Sequence, residues 1–270
     1  MTTQPVTTPA GTAPTATKPA LWRRALAEFL GTGLLVAVVV GSGIAAQRLS
    51  ADTGLQLLEN SIATALGLGA LILLLAPISG AHFNPVVSLA DALLGRGTRT
   101  GLPVGALAVY AGAQIAGGIG GAILANAMFA VPTAIATTER ATVATFLAEI
   151  VATAGLVLLI FGLVRSGRSS ALIAAAVGSY IGAAYWFTSS TSFANPAVTV
   201  GRLFTDTFAG IAPGSVLPFL AAQVIGAFVA VALTALMFPV RGGGAPEPAT
   251  PQAAGRLSAR ARGGDPRPAE

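Results

Sequence analysis

The sequence predicts an all-α membrane protein with six transmembrane helices and two re-entrant half-helices arranged as an inverted repeat. Three observations predict it. Of 270 residues, 54% are hydrophobic and only 9% charged, with a mean hydropathy of +0.76. A soluble domain carries roughly 25% charged residues, so this chain cannot cover a water-facing surface. Second, apolar stretches of membrane-crossing length occur six times. Third, short motifs of the first half return in the same order in the second.

The spans follow from helix geometry. At about 1.5 Å per residue, crossing a hydrocarbon core of about 30 Å takes ~20 apolar residues. The predicted spans are Ala25–Ala46, Gln56–Ile78, Leu102–Val131, Ala141–Val164, Ala171–Phe187 and Ser215–Val240. Ala81–Leu94 and Phe193–Phe204 are apolar but too short to cross, so they are expected to enter and turn back.

Charge sidedness supports a count of six. With that count, Arg48, Arg140 and Arg202 fall on one side, and the other twelve of the 15 basic residues fall on the opposite side. The basic side is the cytoplasmic one, so both termini are expected there, in a multi-pass protein of the cell (plasma) membrane whose surroundings are the lipid bilayer. The expected organisation is a tail over 1–20, a membrane domain over 21–240 and a second tail over 241–270. The membrane domain divides into repeats at 21–131 and 141–240. Both tails are too poor in apolar residues to fold. Arginines beside a membrane serve topology and anionic lipid, and no nucleic-acid partner is expected.

Composition also excludes several chemistries. The absence of cysteine removes disulfides, thiolate metal sites and cysteine nucleophiles. There is one histidine and no His-Glu-x-x-His box. No enzyme activity, metal or cofactor is therefore expected.

Three markers define the repeat. Glu28 in the first span recurs as Glu149 in the fourth, and Asn84-Pro85-Val86 recurs as Asn195-Pro196-Ala197. Gln114 in the third span recurs as Gln223 in the sixth. Each half holds three spans, so the halves enter the membrane in opposite senses. Asparagine is a strong N-cap and proline suits the first helical turn, so each Asn-Pro opens a half-helix. By symmetry the two N-termini meet near the midplane, where their dipoles disfavour cations. Non-helical backbone ahead of each asparagine must line a cavity or be buried in protein.

The boxes Ser79-Gly80-Ala81-His82-Phe83-Asn84-Pro85-Val86 and Ser192-Phe193-Ala194-Asn195-Pro196-Ala197-Val198 resemble the paired signatures of the aquaporin, or major intrinsic protein, family. The resemblance runs from about Ala25 to Val240. It implies a passive channel for water and small uncharged solutes, with a homotetramer in which every subunit has its own pore. It also implies that Asn84 and Asn195 offer N–H donors to solute oxygen. Counted as in the family, the constriction falls at Thr64, Ala183, Ser192 and Val198. The family's usual arginine is replaced by Val198, and Arg202 lies four residues further on. A ring of threonine, alanine, serine and valine is small, uncharged and free of aromatic rings. It implies passage of polyol-sized solutes such as glycerol, and of neutral metalloid hydroxides such as arsenous acid.

The remaining polar residues have two readings each. Glu28 and Glu149 either relay protons in a proton-coupled secondary transporter or brace the two Asn-Pro loops, with Gln114 and Gln223 as further braces. His82 is either a gate at the cytoplasmic mouth or a hydrogen-bonded loop residue. Tyr180, Tyr185 and Trp186 fit an interfacial belt or packing at the mouth, with no site role.

Overall fold

The computed structural model describes residues 18–96 and 101–239. The predicted tails, apart from residues 18–20 of the first, lie outside the described residues, as does Arg99. Six helices among the described residues are long and apolar enough to cross a membrane. They are α1 (Leu21–Leu49), α2 (Thr53–Ser79), α4 (Val104–Met128), α5 (Val143–Arg165), α6 (Ser170–Phe187) and α8 (Pro213–Met237). Between them lie α3 (Pro85–Leu94) and α7 (Pro196–Gly201), the latter running into a 3-10 turn at Arg202–Phe204.

Each predicted span is present with its ends shifted by up to four residues, and local chemistry sets those ends. Asp52 caps α2 by accepting from the Leu55 amide at 2.8 Å, and Gly80 ends the same helix in the left-handed region, at φ 92°. Thr142 and Thr145 form a reciprocal box at the start of α5. The half-helices are shorter than the apolar stretches that contain them. Helix begins only at Pro85 and Pro196, and the residues ahead of each are extended or left-handed.

The helices form two units of like order, α1–α4 and α5–α8. In the first, α1 packs on α2 and α4; in the second, α5 packs on α6 and α8. The units interlock through their short helices: α7 lies against α4, and α3 against α8. Backbone proximity decides the first of these crossings. A Cβ on Gly118 would stand 2.6 Å from the Ala197 carbonyl, and one on Gly201 would stand 2.6 Å from the Gly118 carbonyl. Only glycine admits this approach of α7 to α4.

Large apolar side chains face both ways. Val36, Val40, Leu71 and Leu156 are buried, while Leu66, Leu74, Leu217 and Leu236 project outward. In water the outward set would be an aggregation surface; in lipid it is the appropriate solvent contact.

Candidate functional site: a cavity through the bundle

The loop before each half-helix is built on residues in the left-handed region. Ala81 (φ 51°) and Phe83 (φ 49°) precede Asn84, and Ser192 (φ 51°) and Ala194 (φ 46°) precede Asn195. Such backbone costs about 1–3 kcal/mol per residue and persists only where surrounding structure fixes it.

Two buried carboxylates supply that surrounding structure. Glu28 accepts from Ser79 Oγ at 2.6 Å, the His82 amide at 3.0 Å, the Phe83 amide at 2.7 Å and Gln114 Nε2 at 2.7 Å. Glu149 accepts from Ser190 Oγ at 2.6 Å, the amides of Phe193 and Ala194 at 2.9 Å, and Gln223 Nε2 at 2.7 Å. The same amides of Gln114 and Gln223 reach on to Ser88 Oγ and Thr199 Oγ1, one turn into each half-helix. Four donors fill the acceptor positions of each carboxylate.

The asparagines complete the centre. Asn84 Oδ1 accepts from the Val86 amide at 3.0 Å, and Asn195 Oδ1 from the Ala197 amide at 2.9 Å, so each caps its own half-helix. Asn84 Nδ2 donates to the Ala194 carbonyl at 2.8 Å, and Asn195 Nδ2 to the Phe83 carbonyl at 2.7 Å. A primary amide nitrogen carries two hydrogens. With one used in the cross-link, one on each asparagine remains, and both side chains line a cavity of about 310 Å³.

That cavity extends from His82 and Asp91, beyond the C-terminal end of α2, past both asparagines to Thr64, near the middle of α2, and to Tyr185 and Arg202. A second cavity, of about 490 Å³, continues outward there and is lined by Asn60, Arg140, Thr191, Asp206 and Thr207, with Arg202 shared by both. Thr64, Ser192, Val198, Asn84, Asn195 and His82 all line the inner cavity. Pro85, Val86, Pro196 and Ala197 sit directly behind the asparagines in the first turns of α3 and α7. His82 Nδ1 lies 3.0 Å from Ser88 Oγ, and its Nε2 lies 3.8 Å from Asp91.

The expected constriction needs correction. Ala183 is exposed on the outside of α6 and takes no part in the lining. The lining face of α6 carries Ile173, Val177, Ile181 and Tyr185, one every four residues. Ala183 stands two residues from Tyr185, about 200° away around a helix. The expectation of a ring without charge or aromatics fails for the same reason. Tyr185 and Phe193 line the cavity, and the Tyr185 hydroxyl lies 3.1 Å from Thr64 Oγ1. Tyr185 therefore belongs to the site and not to an interfacial belt. The four-residue apolar stripe of α6 was the available signal for it.

Arg202 is the other residue the sequence reading set aside. Its side chain is 3% exposed, its guanidinium carbon sits 3.5 Å from the Phe193 ring centre, and its Nε donates to the Ala209 carbonyl. Arg140 approaches the same ring, 5.5 Å from its centre, and donates from Nε to Gly210 at 2.6 Å and from Nη2 to Phe208 at 2.8 Å. Burial lowers the pKa of both arginines, and the charge of Arg140 lowers that of Arg202 further.

A bundle of apolar helices with a lined cavity running through it is the architecture of a membrane channel. The chain belongs to the major intrinsic protein family: that family's model matches residues 15–192. Aquaglyceroporin AqpS of Rhizobium meliloti (strain 1021) is 51% identical over 79% of this chain and 89% of its own length. A glycerol uptake facilitator protein of Pseudomonas aeruginosa is 38% identical over a shorter match, 41% of this chain and 37% of that protein. The aquaglyceroporin of Plasmodium falciparum shares the fold. Its X-ray structure superposes with a TM-score of 0.65 at 22% identity, covering 80% of this chain and 96% of that one.

Proposed function

We propose that the chain is a passive channel for water and small uncharged polyols of glycerol size, with neutral metalloid hydroxides such as arsenous acid as further solutes. One observation carries the reading. Asn84 and Asn195 each retain one N–H after capping and cross-linking, and both line the same cavity. A solute oxygen passing the centre meets two fixed donors in place of the water it leaves behind. The fixed donors and the positive ends of the half-helices disfavour cations there. Thr64, Ser192, Val198 and Tyr185 form the narrowing beyond the asparagines, and His82 stands at the opposite mouth. Glu28 and Glu149, with Gln114 and Gln223, brace the two loops. That role accounts for all four hydrogen bonds each carboxylate accepts and leaves it no lone pair for a proton relay.

We further assign the mouth near Arg202 to the outside and both termini to the cytoplasm of the plasma membrane, on the distribution of basic residues. Family membership supports a homotetramer. The tails, 1–20 and 241–270, are read as appendages to the channel domain.

Stopped-flow light scattering on reconstituted vesicles tests the reading with water, glycerol and arsenous acid as solutes. Val198→Arg places a second cation one turn from Arg202 and is expected to lower glycerol permeability relative to water. An unchanged ratio overturns the assignment of the narrowing, and uphill accumulation driven by a pH gradient overturns the channel reading itself.

A further inference from the structure

We propose that the outer cavity holds a binding site for a small oxyanion or carboxylate, formed by Arg140 and Arg202. Two guanidiniums share one phenyl ring, Phe193, at 5.5 and 3.5 Å from its centre. Like charges brought together in a partly desolvated site repel, and an anion between them removes that repulsion. Arg202 is nearly fully buried, yet among the described residues its one hydrogen bond runs from Nε to the Ala209 carbonyl. Its terminal amino groups are not among the buried atoms cut off from the cavities, and the residue lines both of them. They are donors without an acceptor.

Among the described residues no carboxylate forms an ion pair with either arginine. Asp206 lines the outer cavity, but its Oδ1 accepts from the amide and hydroxyl of Thr137. Glu139 accepts from Ser215 Oγ at 2.6 Å. Glu149, whose charge acts on Arg202, already accepts four hydrogen bonds. A guanidinium fork matches a carboxylate or phosphate edge, and Thr191 and Thr207 add hydroxyls on the cavity wall. At about 490 Å³ the cavity has room for such an ion with water around it. The site stands across the route into the inner cavity, so an anion held there obstructs solute entry from that end. This last consequence rests on the channel reading; the binding does not.

The experiment has two arms. Purified protein in detergent is titrated with inorganic phosphate, and separately with acetate, in a calorimeter, with chloride holding ionic strength constant. Saturable binding near one ion per chain is expected, weakened at least about tenfold in R140Q and in R202Q through loss of a charge-assisted pair. Arg140, less deeply buried than Arg202, keeps the test open should R202Q fail to fold. Absence of saturable binding to the unaltered protein, or binding unchanged in the variants, overturns the proposal. In the second arm, phosphate on the outer face of oriented vesicles slows glycerol equilibration, and R140Q needs at least tenfold more phosphate for the same slowing. Vesicles without glycerol permeability under any condition overturn the channel reading, while the calorimetric arm still decides the site.

Discussion

Asn84 and Asn195 are cross-linked through each other's approach loops. Nδ2 of Asn84 donates to the carbonyl of Ala194, immediately before Asn195, and Nδ2 of Asn195 donates to the carbonyl of Phe83, immediately before Asn84. The two bonds differ by 0.1 Å in length, and the same two side chains cap the half-helices by accepting at Oδ1. One side chain thus fixes a helix start, an opposing loop and a cavity-facing donor. The aspartate substitution separates these jobs, because it keeps the capping oxygen and loses the donor.

Asn84→Asp should therefore preserve the cap of α3 while placing a carboxylate oxygen against the Ala194 carbonyl. Glycerol permeability is expected to fall at least about tenfold, the equivalent of ~1.4 kcal/mol on the barrier. Stopped-flow measurement on vesicles with matched protein content checks this. Asn84→Ala should also lower thermal stability, by about 1 kcal/mol for the lost cap.

Glu149→Ala strands four donors in a buried site, each at a cost of about 1–3 kcal/mol. We expect no folded protein, or a melting temperature lowered by more than ten degrees. Glu149→Gln keeps one acceptor oxygen and should recover part of the stability. Thermal unfolding in detergent distinguishes the two. A proton relay predicts the reverse pattern, with normal stability and altered pH dependence of transport.

Two glycines of α4, about 3 Å apart along the helix, should behave oppositely on substitution because they meet different surroundings. A Cβ on Gly118 meets the Ala197 carbonyl at 2.6 Å, and Gly118→Ala should displace α7 and abolish permeation. Gly120 has nothing within 4 Å of the same position, and Gly120→Ala should be neutral or stabilising by up to about 1 kcal/mol. Melting curves and permeability on both variants check the contrast.

Tyr185→Ala removes the ring that faces Thr64 and should raise the permeability of a four- or five-carbon polyol relative to water several-fold. Tyr185→Phe keeps the ring and loses only the hydroxyl contact at 3.1 Å, so its ratio should stay close to that of the unaltered protein. Equal effects of the two variants would remove Tyr185 from the narrowing.

How far the sequence could be read depended on whether a feature was local. Span lengths, the Asn-Pro caps and the Glu28–Glu149 and Gln114–Gln223 correspondences are each written within one helix or one short motif, and they locate the fold and the centre of the site. The lining of α6 is different: it depends on helix rotation relative to a box reached through an irregular loop. An error of two residues carried the reading from Tyr185 to Ala183 and from the inside of the bundle to its outside. Arg202 escaped for a related reason. Its place one turn past Val198 says nothing of the cavity until the 3-10 turn brings it under Phe193.

The reciprocal amide bonds also impose an order on biosynthesis. All four donors to Glu28 come from the first repeat, so the first loop can be shaped as soon as Gln114 has been made. The acceptor for Asn84, however, is the carbonyl of residue 194. A nascent chain must carry its first half through the translocon with that amide unfastened, and the closing stitch waits until the second loop arrives from the opposite leaflet.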